Sequence, residues 1–176
     1  LKYDWYPNEE SETREMYEAL RASGRDIILS LSNEMPFDNA PVLSKIANSW
    51  RTSGDIRDNW VSMRNRGIFM DRWAPFQNPG HWNDPDMMVI GYTGGWGGQA
   101  PKLTGLTPDE QYTHMTLWCM VSAPLILGCD LERLDAFTLN LLTNDEVLSV
   151  NQDALGKQGV TVSRQGQNDV LRVYVK

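Results

Sequence analysis

Cysteine and histidine are scarce here, with two of each in 176 residues. Cys119 and Cys129 are too few for a disulfide framework, and no Cys-x-x-Cys motif occurs, so both read as free, structural thiols. With only His81 and His114 and no His-rich cluster, a zinc site is disfavoured; His114 lies in a helical pattern and reads as a packed, hydrogen-bonded core residue. No apolar run approaches the ~18 residues of a membrane-spanning helix. Gly-x-Gly-x-x-Gly follows no expected strand, which weakens a dinucleotide-binding reading. Positive charge is also in deficit: 16 Lys and Arg face 23 Asp and Glu, for a net charge of −7. An electrostatically held nucleic-acid partner is therefore disfavoured, whereas a neutral sugar is compatible. The start, Leu1-Lys-Tyr-Asp-Trp5, has no initiator Met and falls inside a strand pattern. We expect that start to be internal to a longer protein, so the lack of a targeting segment says nothing about compartment.

What remains is ordinary globular composition, 41% hydrophobic and 22% charged, at a length that suits one domain with a core. Leu1–Trp5 reads as a strand, Glu9–Ser23 as a helix stopped by Gly24, and Asp26–Leu31 as a strand buried on both faces. A helix is expected over Val42–Trp50, a strand end over Trp50–Asp55, and a helix over Ile56–Gly67. A loop is expected between Phe69 and Gly80, and a strand in Asn83–Ile90. Gly91–Leu106 reads as a glycine-rich surface excursion; its Gly94-Gly-Trp-Gly-Gly98 stretch sits off any strand-to-helix turn and is not read as a phosphate cradle. Thr107, Pro108 and Glu110 give the clearest boundary, a capping box opening a helix to about Val121. A strand at Pro124–Gly128 and two short helices, Asp135–Leu142 and Asn144–Val150, complete the repeat. Beyond Gly159 the period changes to alternation, giving two antiparallel strands around Gln165-Gly-Gln-Asn168. Strand–helix units followed by antiparallel strands leave two architectures open: an open doubly wound sheet, or the back part of a barrel.

In a barrel enzyme, polar residues at the carboxyl ends of strands share one site. Those residues here are Lys2 and Asp4, the 32–34 segment with Glu34, Arg51 and Asp55, Asp84 and Asp86, and the 128–130 region. Lys2 and Asp4 alternate with Tyr3, so both face one side of an extended chain. Arg51 and Asp55 share a side if the backbone stays extended. A cation beside a carboxylate favours its ionised form, which suits a nucleophile; a general acid needs burial or like-charge repulsion as an offset. Each candidate also has a plainer reading. Asp55 precedes a helix and is placed to cap it. Asp84 and Asp86 flank Pro85 and fit a rigid turn with satisfied hydrogen bonds. Glu34 fits a solvated loop, and Trp5, Trp50, Trp60, Trp73, Trp82 and Trp96 fit core positions, although aromatic faces also suit sugar rings.

Taken in order, five motifs resemble glycoside hydrolase family 27, which holds α-galactosidases and α-N-acetylgalactosaminidases. They are Lys2-Tyr-Asp4; Trp50-Arg-x-x-x-Asp55; Gly80-His-Trp-Asn-Asp-Pro-Asp-Met87 with Val89-Ile-Gly91; Ala123-Pro-Leu-Ile-Leu127; and Val150-Asn-Gln-Asp153 with Leu155-Gly156. The resemblance implies an α/β chain. Residues 1–155 would form the C-terminal part of a TIM (β/α)8 barrel, and residues 156–176 the beginning of an antiparallel β domain, truncated. It implies a retaining glycosidase that removes terminal α-linked galactose, with Asp4 as nucleophile and Asp55 as acid/base. Lys2 and Arg51 match positions that bond sugar hydroxyls, Glu34 one that reads the sugar's second position, and Met87 a pocket wall. The expected partner is a carbohydrate; no metal or organic cofactor, nucleic acid or membrane is expected. The family's first three strands, which grip the 4- and 6-hydroxyls, have no counterpart, so the chain is expected to be a fragment whose strand edges favour association into oligomers. The resemblance also implies a disulfide-forming Cys shortly after the nucleophile, where Trp5-Tyr6 stands, and Asn-x-Ser/Thr sites are absent. Both departures point to a bacterial protein, periplasmic or extracellular if a signal peptide precedes it. Galactose, N-acetylgalactosamine and β-L-arabinopyranose remain open as the sugar, and so does a non-catalytic carbohydrate-binding segment.

Overall fold

The computed structural model of the chain describes residues 1–4, 9–95, 98, 100–166 and 171–176. Its centre is one parallel sheet of four short strands: β1 (Lys2–Tyr3), β2 (Ser30–Leu31), β3 (Ser49–Arg51) and β4 (Trp82–Asp84). Their order in the sheet is their order in the chain, with Lys2 opposite Ser30, Leu31 opposite Trp50, and Arg51 opposite Asp84. A doubly wound sheet reverses strand order at a switch point, and no reversal occurs among these four. Beyond β4 the parallel pattern continues as a single bridge, with Met88 N–H donating to Ile126 C=O at 2.8 Å and Gly128 N–H to Met88 C=O at 2.9 Å.

Helices fill the crossovers: α1 (Glu10–Ala22), α2 (Ala40–Leu43) and α3 (Trp60–Gly67). After β4 come a hairpin of β5 (Tyr92–Thr93) and β6 (Lys102–Leu103), then α4 (Pro108–Met120), α5 (Ala136–Leu142) and α6 (Asp145–Asn151). The chain closes with an antiparallel pair, β7 (Val160–Gln165) and β8 (Leu171–Val175). The β7–β8 pair docks on a 3-10 turn at Asp71–Phe76, where Asp71 accepts from Thr161 N–H and pairs with Arg164 at 2.7 Å.

The expected boundaries hold where local chemistry sets them. Thr107 Oγ1 accepts from Glu110 N–H at 3.3 Å while Glu110 Oε2 accepts from Thr107 N–H at 2.8 Å, the reciprocal capping box. Five expectations need correction. The strand expected over 26–31 and buried on both faces is only β2, Ser30–Leu31, and Ile28 before it is exposed because, among the described residues, no partner strand or helix lies over it at that point. The helix expected over 42–50 is α2, which ends at Leu43. Asn48 is needed to knit strands: its Oδ1 accepts from Leu29 N–H at 2.9 Å and its C=O from Trp82 N–H at 2.9 Å. The helix expected from 56 starts at Trp60, because Ile56 N–H is taken by Asp86 and the N-cap is Asn59, whose Oδ1 accepts from Ser62 N–H. The strand expected over 83–90 is broken at Asp86, which adopts a left-handed φ of 91° after Pro85. The Pro124–Gly128 segment is a bridge rather than a strand, and the glycine-rich excursion carries the β5–β6 hairpin. Trp5, Trp96, Gly97 and the turn residues Gln167 and Asn168 lie outside the described residues.

Trp50, Trp73 and Trp118 are fully buried in one core with Met63, Met88 and Ile90, whereas Trp60 is exposed. The inner face of α4 staples the 86–91 segment at helical spacing. Gln111 Oε1 accepts from Gly91 N–H at 3.0 Å, His114 Nε2 from Val89 N–H at 3.1 Å, and Trp118 Nε1–H donates to Asp86 C=O at 2.6 Å. His114 is thus the packed core residue its pattern suggests, with burial pushing its pKa down to about 3. Cys119 is buried, Cys129 half-buried, and both are free thiols.

Candidate functional site

The loops leaving β1, β2 and β3 meet around a cavity of about 460 Å³ lined by Lys2, Asp4, Ser32, Asn33, Glu34, Arg51, Gly54 and Asp55. Parallel pairing carries all three strand ends to one level, so residues distant in sequence arrive together. Lys2 and Asp4 reach the same cavity because Tyr3 between them turns the other way and packs on the core. Glu34 stands on the rim, exposed, with its Oε2 close to Gly54. Five of the six sequence candidates are therefore neighbours. Met87 is the sixth and does not line this cavity; its Sδ packs over Gly128 on the adjoining segment.

Arg51 organises the floor. Its side chain is only 6% exposed, and its Nη2 pairs with Asp86 Oδ2 at 2.8 Å and with Asp55 Oδ1 at 3.2 Å. The two partners differ sharply: the side chain of Asp86 is 12% exposed and that of Asp55 is 95% exposed. Asp86 also accepts from Ile56 N–H at 2.7 Å and Met87 N–H at 2.8 Å, so the rigid-turn reading of Asp84-Pro-Asp86 holds. Asp84 Oδ1 accepts the Asp86 N–H at 2.8 Å. Burial raises the Asp84 carboxyl to about 6, with Asp86 adding to the rise; the Asp86 N–H, Arg51 and Lys2 oppose it.

Asp55 is not a helix cap, since Asn59 fills that role. The backbone between Arg51 and Asp55 bends rather than staying extended, yet the two side chains still meet. Of the two offsets to Arg51 that a general acid could use, burial is not available to Asp55, whose side chain is exposed. Asp86 lies closer to the Arg51 guanidinium than Asp55 does, and the two carboxylates share this one cation. Such a site offers two solvent-facing carboxylates from different loops, with cationic donors beside them, which suits polyhydroxylated neutral ligands.

Sequence reasoning gave Asp86 a structural reading and did not single out Arg66. Arg66 Nε donates to Gly54 C=O at 2.8 Å and Nη2 to Asp55 C=O. No motif signals this: α3 had first to be placed against the loop.

A second cavity, also about 460 Å³, lies near the amino end of β4, between Pro79, Trp82, Pro124 and Asn151. Its one carboxylate, Asp153, is paired with Lys176. It offers a mostly apolar surface and no pair of acidic groups.

Comparison with known proteins finds relatives along most of the chain. The profile of the family described as alpha galactosidase A matches residues 2–153. An alpha-galactosidase 2 of Arabidopsis thaliana is 43% identical over 97% of this chain and 41% of its own length. An alpha-N-acetylgalactosaminidase of Gallus gallus is 33% identical over 92% of this chain and 39% of its own. Among solved structures, a glycoside hydrolase family 27 β-L-arabinopyranosidase from Geobacillus stearothermophilus, in complex with arabinose, superposes with a TM-score of 0.82. That match has 37% identity and covers 89% of this chain and 37% of the other. The chain thus spans about two fifths of the length of these relatives.

Proposed function

The chain belongs to the alpha galactosidase A family, glycoside hydrolase family 27, and from that premise we propose that it carries the catalytic pair of a retaining glycosidase acting on terminal α-linked galactose. Residues 1–155 serve as the carboxyl half of a (β/α)8 barrel and residues 156–176 open an antiparallel β domain. The observation that carries the reading is the meeting of Asp4 and Asp55 in one cavity, from the ends of β1 and β3.

In the first step Asp4 attacks the anomeric carbon while Asp55 gives its proton to the departing glycosidic oxygen. The bond to the leaving group breaks and a covalent glycosyl-enzyme forms on Asp4. In the second step Asp55 takes a proton from water, the water oxygen bonds to the anomeric carbon, and Asp4 is released. Two inversions give net retention. A retaining pair needs a separation of about 5–5.5 Å, too small for a water to intervene. Lys2 and Arg51 donate to sugar hydroxyls, and Glu34 accepts from the 2-hydroxyl. Met87, packed on Gly128 beside the floor, is a wall only for a sugar seated further along that segment.

The relatives' names include an α-N-acetylgalactosaminidase and a β-L-arabinopyranosidase, and these are the second reading. β-L-arabinopyranose has the ring stereochemistry of α-D-galactose without its C6 group. Turnover of aryl α-galactoside, aryl α-N-acetylgalactosaminide and aryl β-L-arabinopyranoside by the full-length protein separates the three. The expected result is a preference for the galactoside, with product of retained configuration by NMR. Loss of about 10⁴-fold or more on Asp4→Ala is expected for a nucleophile. Unchanged turnover by Asp4→Ala sinks the assignment, and galactan binding without turnover by wild type replaces it with a binding module.

A further inference from the structure

The side chain of Asp55 is almost wholly exposed, so packing does not aim it. Its direction is set by the backbone together with one contact, Arg51 Nη2 to Oδ1 at 3.2 Å. Two peptide planes flank its Cα: the Gly54–Asp55 unit and the Asp55–Ile56 unit. Arg66 donates from Nε to the carbonyl of the first, at 2.8 Å, and from Nη2 to the carbonyl of the second. Asp86 accepts the Ile56 N–H of the second unit at 2.7 Å. Three hydrogen-bonding groups on the two planes are thus held, and Arg66 is the group that grips both. Its Nη1 is anchored in turn to Ser62 C=O at 3.1 Å, one turn back in α3. The guanidinium is rigid and planar, so two carbonyls bonded to one fork are fixed relative to each other as well as to the helix.

We propose that Arg66 is a positioning residue for the acid/base carboxylate: it fixes the backbone on both sides of Asp55 and so aims the carboxyl at the glycosidic oxygen. The inference rests on the proposed role of Asp55. It predicts a selective defect. Proton donation depends on a donor within hydrogen-bond reach of the oxygen, and a displacement of about 1 Å can cost about 10²-fold. A leaving group that departs as a stable anion has no need of that proton. Damage to Arg66 therefore hurts substrates in proportion to how basic their leaving oxygen is.

The test compares kcat/KM, which reports the glycosylation step, for an alkyl α-galactoside and a dinitrophenyl α-galactoside in the full-length protein. Arg66→Met keeps the stem and removes the donors. The expected result is about a 10²-fold loss on the alkyl substrate and a loss under roughly threefold on the dinitrophenyl one, where acid catalysis contributes little. Arg66→Lys keeps the charge but can bond only one carbonyl, so it falls between wild type and Arg66→Met on the alkyl substrate; it carries the test alone if Arg66→Met does not fold. Equal losses on both substrates, or no loss on the alkyl one, overturn the proposal. Asp55→Ala run beside them separates the two layers. If Asp55→Ala discriminates between the substrates and the Arg66 variants do not, the positioning role fails alone. If Asp55→Ala does not discriminate, the acid/base assignment fails and Arg66 falls with it.

Discussion

One guanidinium, that of Arg51, holds two carboxylates in opposite surroundings. In the 84–88 turn, Asp86 is buried, accepts two backbone N–H groups on its carboxylate and takes the Trp118 indole N–H on its backbone carbonyl. In the 52–59 loop, Asp55 is nearly all in solvent and its carboxylate has one weaker contact with Arg51. The difference separates a carboxylate fixed by its partners from one that faces solvent. A buried carboxylate bonded to two N–H groups and a guanidinium is costly to move, because moving it strands its partners in a low-dielectric setting. A carboxylate held through its backbone keeps its oxygens available.

Asp86→Ala breaks that comparison most severely. It leaves two backbone N–H groups without their acceptor and the buried Arg51 with only its longer contact to Asp55, and should cost roughly 3–5 kcal/mol of stability. Turnover should fall with it, because Ile56 and Arg51 lose their anchor; denaturant unfolding of the full-length protein reads the loss. Asp55→Ala, measured alongside, should leave stability within about 0.5 kcal/mol while removing acid catalysis. Equal stability losses for the two variants erase the distinction.

Asp84 sharpens the comparison through pH. Burial raises its folded-state pKa from the ordinary 3.8 to about 6, so the folded chain binds this proton more tightly than the unfolded one. Its contribution is fully present below 3.8 and is lost as pH rises through about 6. Asp84→Asn keeps an oxygen for the Asp86 N–H and removes the titration. Its stability relative to wild type should therefore rise across that window, by on the order of 3 kcal/mol for a shift of this size. A difference that stays flat from pH 4 to pH 7 contradicts the burial account.

The smallest effect is expected from Trp118→Phe. The ring volume is largely kept, but Asp86 C=O loses its donor at 2.6 Å, for about 1–2 kcal/mol. With the Asp86 carboxylate still clamping Arg51 and the two N–H groups, activity should fall less than in Asp86→Ala. A larger activity loss from Trp118→Phe would place the critical contact on α4 instead.

Much of the site was legible because it is written in short-range pattern. The Lys2–Asp4 alternation needs only an extended chain, and the Thr107–Glu110 box needs only one helical turn. The motif order brought Asp4, Arg51 and Asp55 forward as a set, and the parallel strand ends gather them. Other features hid because their partners are remote. Asn48 stops a helix in order to bond Leu29, just before β2, and Trp82, at the start of β4. The start of α3 is delayed to Trp60 by an acceptor on Asp86. Met87 matches a wall position by motif, yet the left-handed turn at Asp86 sends the following segment toward Gly128.

By itself, then, the sequence determined which residues could do chemistry: the acidic and basic side chains at strand ends, the caps and breakers between them, and the family their order spells. Only the tertiary structure decided how Arg51 is shared between Asp55 and Asp86, and that Arg66 grips the loop between them. The physical reason is reach. Propensity and capping act within a few residues, whereas a carboxylate becomes clamp or catalyst according to burial and donors supplied by strands and helices far along the chain.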